Sequence, residues 1–110
     1  MGGLDDLLVA WRSEPDAERT LALCAAVRDT AFTTLAREIL ATARSNFSNE
    51  AGVLLEVGRM LTRVGLLAEA QTPLALAGKA DPSDWRPFLE LGRLLLLRGD
   101  AVRGARQERG

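Results

Sequence analysis

The residues from Ala51 to Asp84 leave this chain little choice of local structure. Leu54, Val57, Leu61 and Val64 recur three or four apart, so one stripe of a helix carries them. Gly65 can take the left-handed conformation that ends a helix. A second stripe of Leu67, Ala70, Leu74 and Ala77 follows at once, until Gly78 and the Asp81-Pro82 pair stop it. Asn49 is the expected N-cap of the first helix, with Glu50 favourably placed beside its positive end. Gly58 and Ala70 are small where larger residues would serve propensity or burial better. Two backbones are therefore expected to approach closely there, as an antiparallel pair.

The register returns on both sides at a constant offset of 34 residues, and a constant offset across two helices distinguishes a repeat from a chance match. Upstream, Thr20, Leu23-Cys24 and Val27 stand for Leu54, Val57-Gly58 and Leu61, while Ala36, Leu40 and Ala43 stand for Ala70, Leu74 and Ala77. Asp29-Thr30 is the expected turn, and Thr33 or Thr34 can cap the helix after it. Downstream, Asp84 is the expected N-cap, Pro87 falls in a first turn, and Phe88, Leu91-Gly92 and Leu95 repeat the register. Gly99-Asp100 is expected to turn the chain into a last helix. That helix should be short or frayed, because Gly104 stands where alanine is expected and no apolar residue follows Ala105. A leading helix from about Leu4 to Arg12 is either a cap or the second half of an incomplete unit. The expected layout is one domain over 1–110, with the leading helix in 1–16 and units at 17–50, 51–84 and 85–110.

These positions resemble the tetratricopeptide (TPR) signature W-x2-L-G-x2-Y, then A-x3-F, then P. Leu54 takes the aromatic's place, Val57-Gly58 the Leu-Gly pair, Leu61 the tyrosine's, Ala70 the alanine's, Leu74 the phenylalanine's and Pro82 the proline's. Thr20, Cys24 and Ser48 depart from it in the first unit. The resemblance implies an all-α fold in which antiparallel helix pairs stack as a short right-handed solenoid. It also implies a concave groove for a peptide, lined by the first helix of each unit. The groove residues would be Leu21, Arg28 and Asp29, then Leu55, Arg59, Thr62 and Arg63, then Arg86, Leu89, Arg93 and Leu96. The chaperone-binding branch of that family places a lysine and asparagine clamp where Leu21, Ala25 and Leu55 stand here, which argues against its ligand.

The chain has no histidine and no tyrosine, and its single cysteine, Cys24, falls at an interhelical position. The usual nucleophilic and acid-base constellations cannot be assembled from what remains, so no enzyme, metal or cofactor is expected. Cys24 reads as a small buried hydrophobe. A net charge of −1 gives no bulk attraction to nucleic acid or anionic lipid. The acidic N-terminus does not read as a signal peptide, and Leu94 to Leu97, the longest apolar run, is far too short to span a bilayer. A cytoplasmic location is expected. Trp11 and Trp85 are read as core or cap residues rather than binding anchors.

The functional expectation is a non-catalytic scaffold or adaptor for a partner protein or peptide. Arg59 and Arg93 occupy equivalent positions and are expected to stack as a ladder that suits an acidic ligand, because guanidinium binds carboxylate in a bidentate way. The competing reading is that Glu56 and Glu90, each three residues earlier, simply pair with them. Two other functions stay open: a homo-oligomerisation module of a larger assembly, and single-stranded RNA binding, which the net charge disfavours. Phe88, Leu91 and Leu94 to Leu97 wrap most of one helix, so a homodimer through the C-terminal helix is also expected.

Overall fold

A helix that is apolar around most of its circumference must be surrounded, and α4 (Ala51–Val64) is such a helix. Val53, Leu54, Leu55, Val57, Gly58, Met60 and Leu61 are all buried, leaving Glu56, Arg59 and Arg63 as its polar stripe. The computed structural model describes the backbone of residues 3–109 and the side chains of residues 3–99. Around α4 it places α2 (Ala17–Val27), α3 (Thr33–Asn46), α5 (Leu67–Ala80) and α6 (Arg86–Arg109), with α1 (Gly3–Ser13) packed on α2. The chain is all-α.

The α4–α5 pair is the tightest part of this arrangement. Gly65 ends α4 with φ of 98°, a backbone conformation that disfavours side chains, and the amides of Gly65 and Leu66 close on the carbonyl of Leu61. The turn folds α5 straight back. A Cβ on Gly58 would lie 2.4 Å from Leu74 Cδ2 and 2.5 Å from its Cγ, so the glycine makes room for the leucine. Ala70, Leu74 and Ala77 are fully buried on the facing side. Pro73 stands buried inside α5 and cannot supply the amide that would bond the Glu69 carbonyl.

At the other end of the core, α1 is held by a buried polar contact. The indole Nε1 of Trp11 donates to Thr20 Oγ1 at 2.9 Å, and that hydroxyl donates to the Asp16 carbonyl at 2.7 Å. Thr20 thus fills the place of a bulky residue while satisfying the only polar atom of Trp11. Asp16 caps α2 through the Arg19 amide at 2.8 Å.

The expected solenoid of stacked TPR-like pairs is overturned. Among the described residues six helices close into a compact bundle around one continuous core that runs from Trp11 to Leu94. Its radius of gyration is 14.9 Å, near the roughly 13 Å of a compact 100-residue domain and far below the roughly 30 Å of an unfolded one. The third pair does not form, because α6 runs without a turn through Gly99 and Asp100 to Arg109. Gly92 accordingly has nothing within 4 Å of the Cβ it lacks, although Gly58, its counterpart in sequence, is filled by Leu74. Of the residues on which a homodimer through this helix was expected, Leu94 is buried and Leu91 half-buried within the chain's own bundle, while Phe88, Leu95, Leu96 and Leu97 stay exposed.

Several smaller expectations are corrected. Asn49, Thr33 and Thr34 do not cap helices; Glu50 and Phe32 occupy the N-cap positions without side-chain hydrogen bonds. Instead Thr30 supports the start of α3, its Oγ1 donating to the Val27 carbonyl at 2.6 Å and accepting the Phe32 amide at 3.2 Å. Trp85 is 67% exposed rather than part of the core, because α6 begins one residue later and turns Pro87 inward.

The contrast between the two glycines is testable by chemical denaturation. Gly92→Ala should stabilise the protein by roughly 0.5–1 kcal/mol, the usual gain in a helix interior where the new methyl meets nothing. Gly58→Ala gains the same propensity but must displace Leu74, at an overpacking cost of about 1–3 kcal/mol, so its net effect should be a loss. Equal shifts for the two variants would contradict the close α4–α5 approach.

Candidate functional site

The polar stripe of α4 faces the ends of α2 and α6, and a cleft of about 360 Å³ opens between them. Arg28 from the end of α2, Arg59, Thr62 and Arg63 from α4, and Glu90, Arg93 and Leu97 from α6 line it. Four guanidinium groups are thus gathered from three helices far apart in sequence.

Ion pairs set the geometry. Arg59 Nη1 lies 2.8 Å from Glu56 Oε1 within α4, and its Nε lies 3.5 Å from Glu90 Oε1 on α6. Arg93 Nη1 approaches the same Glu90 oxygen at 3.6 Å. Glu90 is only 15% exposed and stands between the two arginines, so they are linked through a carboxylate. Of the two readings made from sequence, the pairing of the glutamates with the arginines is what these contacts display; Arg59 and Arg93 meet through Glu90. Arg63 pairs with Asp29, and Thr62 turns its hydroxyl to the Gly58 carbonyl at 2.9 Å. Arg28 makes no ion pair among the described residues. Three carboxylates, Asp29, Glu56 and Glu90, therefore face four arginines, which leaves an excess of positive charge.

Of the expected site residues, Arg28, Arg59, Arg63 and Arg93 come together in this cleft. Arg86 does not line it. Its Nη2 lies 2.8 Å from Asp84 Oδ2, and its backbone amide bonds Asp84 Oδ1 at 3.0 Å. The guanidinium hydrogen bond first, and the amide second, hold the Asp84 carboxyl below its ordinary range. Leu55 is 1% exposed and cannot contact a ligand; α4 is enclosed on more sides than a simple pair requires. Leu21 is exposed on α2 outside the cleft, and Leu89 and Leu96 lie on the outer side of α6. Leu97 takes the place foreseen for Leu96. It stands four residues after Arg93, so helical spacing from that arginine was the signal that pointed to it. Glu90 was read only as a partner of Arg93, and its contact with Arg59 is legible only in three dimensions.

Such a site can hold anions through charge-assisted hydrogen bonds, with Leu97 as an apolar wall. Among the described residues no group of three or more potential ligands is placed to hold a metal ion. Cys24 is buried against α4, and desolvation first, then the nearby Glu56 charge, push its thiol up to about 12. No helix among the described residues is long and apolar enough to cross a membrane. Compared with family models, curated proteins and solved structures, the chain matches none, and the TPR resemblance is withdrawn on that ground as well as on the fold.

The thiol gives a sharp chemical test. A pKa raised above its unfolded value of 9.0 means that Cys24 contributes its full stabilisation below pH 9.0, and loses it between there and about 12 as the unfolded thiolate gains the advantage. A thiol reagent at pH 8 should therefore label the native protein only at the rate of unfolding, and the denatured chain at once. Rapid labelling of the native state would place Cys24 outside the core.

Proposed function

We propose that the protein is a non-catalytic interaction module that takes an acidic segment of a partner protein into the cleft between α2, α4 and α6. The observation that supports this reading is the convergence of Arg28, Arg59, Arg63 and Arg93 on one cleft with an apolar wall. A carboxylate of the partner would meet Arg28 and Arg93, the two guanidinium groups least engaged by internal acids. Arg59 is held by Glu56 and serves to position Glu90. The buried, unpaired thiol of Cys24 agrees with a reducing compartment such as the cytoplasm. Single-stranded RNA is the weaker reading, because a net charge of −1 gives the chain no bulk attraction to a long polyanion.

The test is a fluorescence-anisotropy titration of the full chain with an unstructured glutamate-rich peptide, a lysine-rich counterpart and single-stranded RNA. The acidic peptide should bind in preference to both, more weakly as salt rises. The double variant Arg28→Ala, Arg93→Ala should weaken binding by about tenfold to a hundredfold, as expected for charge-assisted bonds, and keep the melting temperature because both side chains are exposed. Unchanged binding by the variant, or tighter binding of RNA, would overturn the proposal.

A further inference from the structure

The arginine cleft is uneven along its length. Acids crowd one end, where Glu56 and Glu90 both hold Arg59 and Glu90 also touches Arg93. One turn further along α6 the lining changes, because Leu97 follows Arg93 by four residues on the same face and is 48% exposed. At 1.5 Å of rise per residue, a guanidinium that is 64% exposed and a bare leucine therefore stand about 6 Å apart along the helix axis.

That spacing has a counterpart in an extended chain. Side chains at i and i+2 of a strand share one face and lie about 6.7 Å apart, whereas neighbours at i and i+1 point to opposite faces. A helical ligand does not suit the space. With its side chains a helix is about 10–12 Å across, so two turns of one fill roughly 850 Å³, and the cleft holds about 360 Å³. Thr62 supplies a further point of contact. Its Oγ1 donates to the Gly58 carbonyl at 2.9 Å, so what the hydroxyl has left to offer the cleft is an acceptor. A main-chain amide of an extended segment is a donor that can meet it, and a simple anion has none.

On the reading that the cleft takes acidic segments, we infer that its ligand carries a carboxylate and a large aliphatic side chain two residues apart in an extended segment. The carboxylate meets Arg93 and Arg28, the aliphatic side chain packs on Leu97, and an amide of the segment donates to Thr62 Oγ1. A run of acids satisfies only the first of these contacts. The site therefore selects the spacing of one acid and one aliphatic residue above the number of acids.

The test titrates the full chain into short dye-labelled peptides of one composition, a single glutamate and a single leucine among serines and glycines, and reads fluorescence anisotropy. Two peptides carry the pair two residues apart, in either order along the chain, and two carry it adjacent. At least one spaced peptide should bind about fivefold to tenfold more tightly than either adjacent one, as expected from partly burying one leucine. Leu97→Ala should erase that advantage, and Thr62→Val should weaken the spaced peptide severalfold. Circular dichroism of each variant checks that the helices are kept. Equal binding of all four peptides, each weakened by the double variant Arg28→Ala, Arg93→Ala, would overturn the inference and leave the acidic cleft standing. A spaced peptide that kept its advantage on Leu97→Ala would overturn it too, since its leucine would then sit elsewhere. If none of the four binds while the glutamate-rich peptide does, the inference falls alone; if that peptide fails as well, the cleft reading falls with it.

Discussion

The absence of a single methyl group at Gly58 lets the two central helices of this protein touch. Leu74 enters the space that a side chain would fill, and this draws α5 against α4 closely enough for Ala70 and Ala77 to be completely buried. Everything else is attached to that pair. α2 and α3 cover two more sides of α4, α6 leans mainly on α5, and α1 reaches the core through Trp11. Packing at this density tolerates little change in volume, so the positions of the outer helices inherit the precision of the inner pair.

The polar stripe of α4 is the one side left unpacked, and the consequence is electrostatic. Glu56, Arg59 and Arg63 would form an ordinary solvated stripe on an isolated helix. With α2 and α6 brought alongside, Arg28 and Arg93 join them, and Glu90 is caught between Arg59 and Arg93. In the ion pairs described elsewhere each arginine has at least one acid to itself, and Arg19 has two, Asp16 and Glu14. Arg12 meets Glu38 at 2.9 Å and Arg37 meets Glu69 at 2.7 Å, and in each case the hydrogen bond raises the arginine's already high pKa. These exposed pairs tie α1 to α3 and α3 to α5 but contribute little stability in water. The cleft differs because its acids are too few for its arginines.

Much of this was legible in the chain itself. Apolar spacing gave the helices, Gly65 the reversal between α4 and α5, and the small residues Gly58 and Ala70 the close approach. The resemblance had placed five arginines in a groove; Arg28, Arg59, Arg63 and Arg93 line the cleft, and Arg86 does not. What misled was the assumption that equal registers have equal surroundings. Gly92 and Gly58 share a register, yet only Gly58 has a helix opposite it, because α6 continues through Gly99-Asp100 where a turn was expected. Leu55 was assigned to a groove by the same analogy and is buried, since α4 is enclosed by four helices where a stacked pair would leave that side open. Local pattern specifies each helix; how many neighbours a helix acquires depends on the whole chain.

Arginine side-chain NMR tests the central claim most directly, because each Nε–Hε group reports its own contacts. Titration with a glutamate-rich peptide should move the signals of Arg28, Arg59, Arg63 and Arg93 along one common binding curve. Arg12 and Arg37, each already held by its own carboxylate, should stay in place. If all exposed arginines shifted alike, or if Arg12 and Arg37 moved while the cleft arginines did not, the convergence of four guanidinium groups between α2, α4 and α6 would have no bearing on what the protein binds.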